Sequence, residues 1–513
     1  MIVGVVGAGT MGSGIAQVAA RAGHRALVFD AEPGRAMKAC AKAAAGFARL
    51  LAKERLSTSE AAAAGERLVA VDTLAELAAC GLVVEAIVES LDAKKALMAE
   101  LADLVASDAI LATNTSSISI DAIAAGMPSP GRVIGMHFFN PAPVMPLVEV
   151  VYGAATERAV VDRVCELADR WGKVAVRVAS TPGFVVNRVA RPFYGEAHRL
   201  LEEGACDAAA IDAVMREAGG FRMGPLELTD LIGQDVNLAV SRSVWEGTGF
   251  DPRYTPSGFQ RSLVEAGRLG KKSGRGVYRH PGESQEPATE PSRRPPARIH
   301  VGPGIGVLAG LVERARRTGV HVDDVGEDDT NPQLELDFPA ARARFGAGEP
   351  ATGRREDKPV VVLDLALDYL TATRLAVAPP LGCPPEALAD VVGFLQATGL
   401  AVTVLADSPG LVVTRTVARL TNEAIDLVGR GTVAATEVDT AMQLGANYPI
   451  GPLEWGDQIG ASLLCQTLDN LESYYRDGRY RPSPFLRRIA SAGLSLRDGS
   501  DRQVPEVRRH EHE

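Results

Sequence analysis

The sequence predicts a chain of several domains: an α/β domain built on a parallel sheet, then a helical domain in two tandem copies with a small α/β segment between them. Three observations predict it. Short β-branched runs alternate with alanine-rich helical patterns through the first 180 residues. A glycine-rich turn follows the first of those runs. Further on, one segment recurs at a fixed offset: Gly183 to Gly410 and Gly224 to Gly451 are both 227 positions. The 513 residues suffice for this, since one domain takes about 100–200.

In chain order, "IVGVV", "ALVFD", "LVVEAI", "AILATN" and "RVIGMHF" read as buried strands, with "LVEV" and "KVAVRVAS" after them. Helical patterns cover Gly12 to Ala22, Pro33 to Lys53 and Asp92 to Val105. Near-continuous apolar strands between helices signal a parallel sheet covered on both faces. After "TPGF", residues 184 to about 270 are helical by pattern and end in "LGKKSGRGVY". Residues 279–300, rich in Pro, Glu, Ser and Arg, read as a mobile linker. "KPVVVLDLAL" and "LAVTVLAD" are the clearest strands of the following segment.

The repeat pairs "TPGFVVNRVARPFYGEAHRLLEEG" with "SPGLVVTRTVARLTNEAIDLVGRG", and "IDAVMREAGGFRMGPLELTDLIG" with "VDTAMQLGANYPIGPLEWGDQIG". A gapless register of this length predicts two copies of one helical unit. The expected domains are 1–180 (dinucleotide-binding), 181–280 (first helical unit), 281–300 (linker), 301–407 (degenerate α/β), 408–495 (second helical unit) and 496–513 (flexible tail).

Composition narrows the function. Apolar content of 46% and charged content of 23% are those of an ordinary globular protein, and the net charge of −10 argues against a general nucleic-acid or anionic-membrane binder. The six cysteines form no CxxC pair, which argues against a zinc site or a disulfide framework and makes a reducing cytoplasm the default. The N-terminal residues show no signal-peptide pattern, and apolar windows such as "CGLVVEAIVESL" carry Glu85 and Glu89 and are too short to span a bilayer.

Gly7, Gly9 and Gly12 form GxGxxG between a strand and a helix, with Thr10 and Met11 inside the motif as further expected cofactor contacts; Gly14 extends the motif. The first glycine permits the turn, the second lets the backbone approach a pyrophosphate, and the third lets helix and strand pack. The helix N-terminus offers free N–H groups and partial positive charge to phosphates. Asp30 ends the second strand, where a carboxylate accepts ribose hydroxyls and repels a 2′-phosphate, which favours NAD over NADP; Arg35 nearby weighs mildly the other way. "VGPGIG" at 301–306 carries Pro303, which lacks an N–H, and reads as a structural remnant of the repeat. His137 has the side chain suited to accept an alcohol proton near neutral pH, and Glu149 is the candidate to fix its tautomer. Sequence spacing alone does not bring the two together.

The stretches "GVVGAGTMGSGIAQVAARAGH", "VVEAIVE", "TNTSSISI", "GMHFFNPAPVMPLVEV", "STPGFVVNRV", "GPLELTDLIG" and "GKKSGRGVY", across residues 3 to 278, resemble the L-3-hydroxyacyl-CoA dehydrogenase family. The resemblance implies hydride transfer between NAD and a (3S)-3-hydroxyacyl thioester, yielding 3-oxoacyl-CoA. It makes His137 the general base and Glu149 its orienting partner. Ser116 and Asn187 become contacts of the substrate's 3-oxygen, and Glu89, Lys94 and Asn114 line the nicotinamide half. Lys53 matches a coenzyme A contact or is one solvated charge on a helix. Other readings stand beside these: Ser116 as a helix N-cap, Asn187 as a core amide, Asp212 and Asp230 as caps or surface charges. The length and tandem helical unit resemble the bacterial subgroup that acts on 3-hydroxyadipyl-CoA in phenylacetate breakdown, and 3-hydroxybutyryl-CoA enzymes are similar too. Arg191 and Arg222 are candidate partners for a dicarboxylic acyl end.

Position 414, equivalent to Asn187, is threonine, and no second "NTSS" or "HFFNP" occurs, so one active site per chain is expected. The second copy then reads as structural. It either covers the first within one chain as a pseudo-dimer or leaves a homodimer open. Two rival functions are a dehydrogenase of a free hydroxy acid, as in gulonate-type relatives, and a non-catalytic crystallin-like protein.

Overall fold

The structure is a computed structural model that describes residues 1–282, 286–296, 298–302, 305–324, 335–354 and 356–501. It divides into two compact units: residues 1–188 with 431–446, and residues 189–430 with 447–513.

In the first unit, β1 (Ile2–Val6), α1 (Thr10–Arg21), β2 (Arg25–Phe29), α2 (Arg35–Ala52), α3 (Thr58–Glu66), β3 (Leu68–Ala70), β4 (Leu82–Glu85), α4 (Leu91–Leu104), β5 (Ile110–Thr113), α5 (Ile120–Ala124), β6 (Val133–Phe138), β7 (Leu147–Tyr152), α6 (Arg158–Arg170) and β8 (Val174–Ala179) follow one another. The sheet order is β3-β2-β1-β4-β5-β6-β7-β8. Fully buried Val3, Val5, Val84, Ala112, Ile134 and Val150 carry its core with Ile15 and Phe47 of the helices, and each large apolar side chain so buried contributes about 1.5–3 kcal/mol. The expected all-parallel sheet needs correction: β1 to β6 run parallel, but β7 is antiparallel to β6 and β8 runs parallel to β7. The reason is length. Residues 139–146 join β6 to β7, and a parallel crossover needs a dozen residues or more.

The chain continues through α7 (Val186–Val189), α8 (Arg191–Glu202), α9 (Ala208–Glu217), α10 (Pro225–Ile232), α11 (Gln234–Gly247) and α12 (Gly258–Glu265). A second sheet follows, with β9 (Ile299–Val301), α13 (Ala309–Arg317), β10 (Val322–Asp324), β11 (Glu335–Asp337), β12 (Arg342–Phe345), β13 (Val360–Leu363), β14 (Arg374–Ala378), α14 (Pro385–Ala397) and β15 (Ala401–Val404). Among the described residues its order is β10-β9-β11-β12-β13-β14-β15. Then come α15 (Val413–Gly429), α16 (Ala435–Ala446), α17 (Pro452–Ile459), α18 (Ala461–Tyr475), α19 (Pro484–Ala492) and α20 (Leu496–Asp501).

The 227-residue offset maps α10 onto α17 end to end and starts α9 and α11 on α16 and α18. It also maps α7 and α8 together onto the single helix α15. The break at Ala190 precedes Pro192, which sits in the first turn of α8; proline has no N–H to bond back to the preceding turn, and its ring crowds the carbonyl four residues earlier, so it starts a helix but does not continue one. Position 419 in the second copy is arginine, so α15 runs through.

Helices α8 and α15 pack on one another through buried charge. Glu196, fully buried, accepts from Arg415 Nε (3.0 Å), Arg419 Nη1 (3.0 Å) and the Tyr480 hydroxyl (2.7 Å). Its counterpart at the same repeat position, Glu423, accepts from the Tyr254 hydroxyl and lies 3.5 Å from Arg253 and 3.6 Å from Arg419. Burial works against the Glu196 carboxylate, but Arg415 and Arg419 hold its pKa below the ordinary value.

Three expectations change. The mobile linker is pinned where it is described: Glu290 N–H donates to Val402 O on β15, Gln396 Nε2 donates to Glu290 O and Pro291 O, and Ile299 and His300 already belong to β9. Of the expected flexible tail, 496–501 forms α20 with Leu496 fully buried and its N–H on Asp457; 502–513 lie outside the described residues. Within "VGPGIG", Pro303 and Gly304 also lie outside them. Asp212 and Asp230 are not surface charges, both being 1% exposed. Asp212 caps α10 through the N–H groups of Leu226 and Glu227 and accepts from Tyr278, while Asp230 gathers Gln234, Val277, Tyr278 and His280. Among the described residues no helix is long and apolar enough to cross a membrane.

Candidate active site

The site assembles at the carboxyl ends of β1, β2, β4 and β5 and along β6, where the order β3-β2-β1-β4-β5-β6 opens a crevice between β1 and β4. Gly7 has φ +98°, and a Cβ there would lie 2.6 Å from Ala86 O. A Cβ on Gly12 would lie 1.8 Å from Gly7 O, so the turn tolerates no side chain at either place. At Gly9 a Cβ would meet nothing within 4 Å: the turn presents open space beside backbone amides. Gly9 is also the N-cap of α1 and supplies no side-chain cap, which leaves the first N–H groups, at exposed Thr10 and half-buried Met11, for a ligand. Asp30 accepts the Ala8 N–H (2.7 Å) and the Glu32 N–H (2.9 Å), which ties the end of β2 to the glycine turn. Arg35 sits on Glu32 at 3.0 Å and 4.0 Å from Asp30. A cradle with no side chains, uncapped helix amides and a carboxylate on the second strand fit a dinucleotide with a free ribose 2′-hydroxyl.

Beyond the turn lies a linked set of carboxylates. Glu85, fully buried at the end of β4, accepts from Lys94 Nζ (2.7 Å), Thr113 Oγ1 (2.7 Å) and Ile87 N–H (2.7 Å). Lys94, expected to line the nicotinamide half, is 1% exposed, and its ammonium also lies 3.3 Å from Glu89. One oxygen of Glu89 gathers the "NTSS" loop, accepting from the hydroxyls of Thr115 (2.6 Å), Ser116 (3.3 Å) and Ser117 (2.9 Å) and from the N–H groups of Ser116 and Ser117. Burial opposes ionisation of Glu89, but Thr115, Lys94, the Ser116 N–H and the Ser117 hydroxyl hold its pKa below the ordinary value. Asn114 accepts the Phe138 N–H (2.9 Å), which joins this loop to β6.

His137 and Glu149 are register partners across β6 and β7, which turns their side chains to one face. His137 Nδ1–H donates to Glu149 Oε2 at 2.6 Å. Glu149 is fully buried, and its other oxygen accepts the N–H groups of Val185 (3.0 Å) and Val186 (2.9 Å). A carboxylate on Nδ1 leaves Nε2 as the basic nitrogen. Phe139 (4.6 Å between ring centres) and Phe184 (5.7 Å) flank the imidazole. The Asn187 side chain donates to Ser116 O at 3.5 Å, so all four expected catalytic side chains belong to this unit. Ser116 is not a helix N-cap; Ser119 caps α5. The loop after β6 is held by Lys173, which donates to Ala142 O (2.6 Å) and Met145 O (2.7 Å), and by α1, where Gly14 packs on Pro143 and Ala142. Burial lowers the Lys173 pKa to about 8.

Lys53 is exposed at the C-cap of α2. Of the two candidate partners for a dicarboxylic end, Arg191 is buried, donates to Ser241 Oγ (3.1 Å) and stacks on Tyr194, whereas Arg222 is exposed. Sequence reasoning missed Glu85, Thr115, Ser117 and Phe139. Glu85 left a signal, because a carboxylate closing an otherwise apolar buried strand demands a cation partner.

The second sheet repeats the relations of the first. Strands β12, β13, β14 and β15 pair parallel, antiparallel and parallel, as do β5, β6, β7 and β8. Glu149 pairs with Val176, whose repeat equivalent is Thr403, and Thr403 pairs with Ala376. Continuing the β13–β14 register sets Asp364 across from Ala376, and the Asp364 N–H donates to Ala376 O. Asp364 therefore stands at the position of His137 and Ala376 at that of Glu149. Asp364 accepts the N–H groups of Val412, Val413 and Thr414 directly, plus the Thr414 hydroxyl. Phe184 (φ 49°) and Leu411 (φ 43°) share the same left-handed turn, so that strain serves the repeat rather than catalysis.

Comparison with known proteins matches residues 2–181 to the NAD binding domain of 3-hydroxyacyl-CoA dehydrogenase, residues 183–280 and 410–502 to its C-terminal domain, and residues 345–409 to a 3-hydroxybutyryl-CoA dehydrogenase reduced Rossmann-fold domain. A protein of Escherichia coli (strain K12) named 3-hydroxyadipyl-CoA dehydrogenase is 43% identical over 95% of this chain and 97% of its own length. A probable 3-hydroxybutyryl-CoA dehydrogenase of Bacillus subtilis (strain 168) is 43% identical over 53% of this chain and 95% of its own. A solved structure of a protein named 3-hydroxybutyryl-CoA dehydrogenase, from Escherichia coli K12, superposes with a TM-score of 0.87 at 40% identity, covering 96% of this chain and 98% of that one.

Proposed function

Since the chain belongs to the 3-hydroxyacyl-CoA dehydrogenase family, we propose that it oxidises 3-hydroxyadipyl-CoA to the 3-oxoacyl thioester with NAD, through one acid–base pair, His137 and Glu149. The observation that carries the reading is that pair: an imidazole 2.6 Å from a fully buried carboxylate, in the sheet that bears the glycine turn. Bound at Gly7–Gly12 and Asp30, with Glu89, Lys94 and Asn114 ordering the far side, NAD supplies the hydride acceptor. His137 Nε2 takes the proton of the 3-hydroxyl, and in the reverse direction returns it to the 3-oxo oxygen. Glu149 stabilises the imidazolium, and its bonds to the Val185 and Val186 amides keep the carboxylate aimed at Nδ1. Ser116 and Asn187 orient the 3-oxygen, and Lys53 serves the coenzyme A moiety.

The choice of adipyl over butyryl rests on the full-length likeness to a protein so named. A 3-hydroxybutyryl substrate is the second reading, favoured by the superposed structure, whose protein is named for that substrate. We assign the cofactor to 1–180, the catalytic helical unit to 181–280, a degenerate α/β segment to 301–407 and a non-catalytic helical unit to 408–495. The second helical unit takes a partner's part within one chain, which the buried Glu196 contacts support; sedimentation of the enzyme at the mass of one chain checks this. A reducing cytoplasm suits the six free cysteines.

The test follows NADH absorbance with acetoacetyl-CoA and then compares kcat/KM for the adipyl and butyryl substrates. Turnover that is lost on His137→Ala supports the mechanism, and unchanged turnover in that variant removes it. A higher kcat/KM for the butyryl thioester reassigns the substrate.

A further inference from the structure

Helix α16 comes from the second, non-catalytic copy, yet it is part of the catalytic unit. Strand β8 is the edge of the first sheet and its outward N–H groups need acceptors. The segment of α16 supplies them: Ala179 N–H donates to Thr432 O (2.9 Å) and Arg177 N–H to Glu437 Oε1 (3.2 Å). At its other end the helix reaches the residues around the imidazole. A Cβ on Gly445 would lie 2.6 Å from Leu147 Cδ2, 2.9 Å from Val186 Cγ2 and 3.7 Å from Phe139 Cζ. Each neighbour bears on the acid–base pair. Leu147 begins β7, the strand of Glu149; the Val186 N–H donates to Glu149; the Phe139 ring lies against His137. Leu147 and Val186 are buried and have little room to yield.

The first copy makes the reciprocal contact. Its α9, equivalent to α16, lies on β14: Thr373 N–H donates to Glu217 O, Arg374 Nε to Glu217 Oε2, and Leu367 N–H to Ala218 O. Ala218 is the repeat equivalent of Gly445, since 445 − 227 = 218. Each sheet is therefore backed by the helix of the other copy. On the sheet without a histidine a methyl group is accommodated, and on the catalytic sheet it is not.

We infer that Gly445 is a positioning residue for the reaction: the second helical copy, through the side-chain-free end of α16, sets Phe139, Leu147 and Val186 and so aims His137 and Glu149. This rests on the acid–base reading above. The experiment is Gly445→Ala in the full-length enzyme, read by kcat, KM, the pH profile of kcat and the melting temperature. Alanine favours helix intrinsically, by up to about 1 kcal/mol over glycine, so the helix itself is not weakened. The expected result is a fall in kcat of about tenfold to hundredfold, as for an ångström-scale misplacement, with KM within threefold. The acid limb of the profile should move, and Leu147→Val added to Gly445→Ala should restore both. A wild-type kcat and profile, a loss that tracks only the folded fraction with the profile unmoved, or no rescue by Leu147→Val would each overturn the inference. If the alanine variant does not accumulate folded, Phe139→Leu is read in its place, and an unmoved limb there overturns it equally. Failure of wild-type enzyme to turn over any 3-hydroxyacyl-CoA would instead count against the reading on which the inference rests.

Discussion

His137 and Asp364 hold the same place in two copies of one architecture, and each is joined to the start of the helix that follows its sheet. In the first copy the join has two links: imidazole to Glu149, and Glu149 to the amides of Val185 and Val186. In the second it has one, because Asp364 reaches the amides of Val412, Val413 and Thr414 itself and Ala376 stands where the glutamate would be. The difference separates what the fold requires from what the chemistry requires. A buried carboxylate on those amides is structural, since both copies keep it. The histidine inserted before it is the residue that the proposed chemistry uses.

The largest expected effect tests that separation. His137→Ala should lower kcat per folded molecule by about 10²–10⁴-fold in the NADH assay, and it also costs about 1–3 kcal/mol of stability by leaving an oxygen of buried Glu149 unpaired. Next in size are the paired glutamates of the helical copies. Glu196→Ala removes the acceptor shared by Arg415 Nε and Arg419 Nη1, leaves Arg415 with Glu203 as its remaining carboxylate, and should cost about 3–5 kcal/mol, read as a lower urea-unfolding midpoint. Glu423→Ala, whose nearest arginine contacts are 3.5 and 3.6 Å, should cost less. Equal losses would mean the two sides of the repeat are energetically equivalent.

Asp212, in the first copy, is tested by pH. Burial pushes its carboxyl up to about 7 against the bonds from Tyr278, Leu226 and Glu227. The folded protein thus keeps a proton through a range where the unfolded chain has released it. Stability is fully present below about pH 4 and falls by up to about 1.4 kcal/mol per pH unit as the pH rises towards 7. Unfolding midpoints measured across that range should converge for wild type and Asp212→Asn at the acid end and part as the pH rises. The smallest effect expected is that of Asp364→Ala: it leaves buried donors unpaired, costs about 1–3 kcal/mol in the same unfolding assay, and leaves kcat within a factor of two or so.

The glycine turn, Asp30, most strands of the first sheet and the repeat were legible because each is a local pattern: a motif between strand and helix, an apolar run, a fixed offset. The reversal of β7 was not read from "LVEV", which looks alike in either direction, although the short loop 139–146 contained the answer. The His137–Glu149 contact depends on hairpin register, which spacing alone does not fix. Glu196, Arg415 and Arg419 lie on helices whose charges a pattern assigns to solvent, and only packing against the other copy buries them. Asp364 was hidden because the second sheet has lost every motif that names the first, keeping only its strand directions and hydrogen-bond ladder.

Position 192 and its equivalent 419 show what a single covalent chain permits. In an assembly of identical subunits around a twofold axis, one codon writes both sides of the interface, so a proline that bends a helix on one side must bend its mate. Here the two sides are spelled separately. Proline separates α7 from α8, while arginine lets α15 run unbroken and crosses to Glu196. Two copies encoded separately in one chain thus turn a symmetric contact into a lock with a distinct key, one that neither half could form with a second copy of itself.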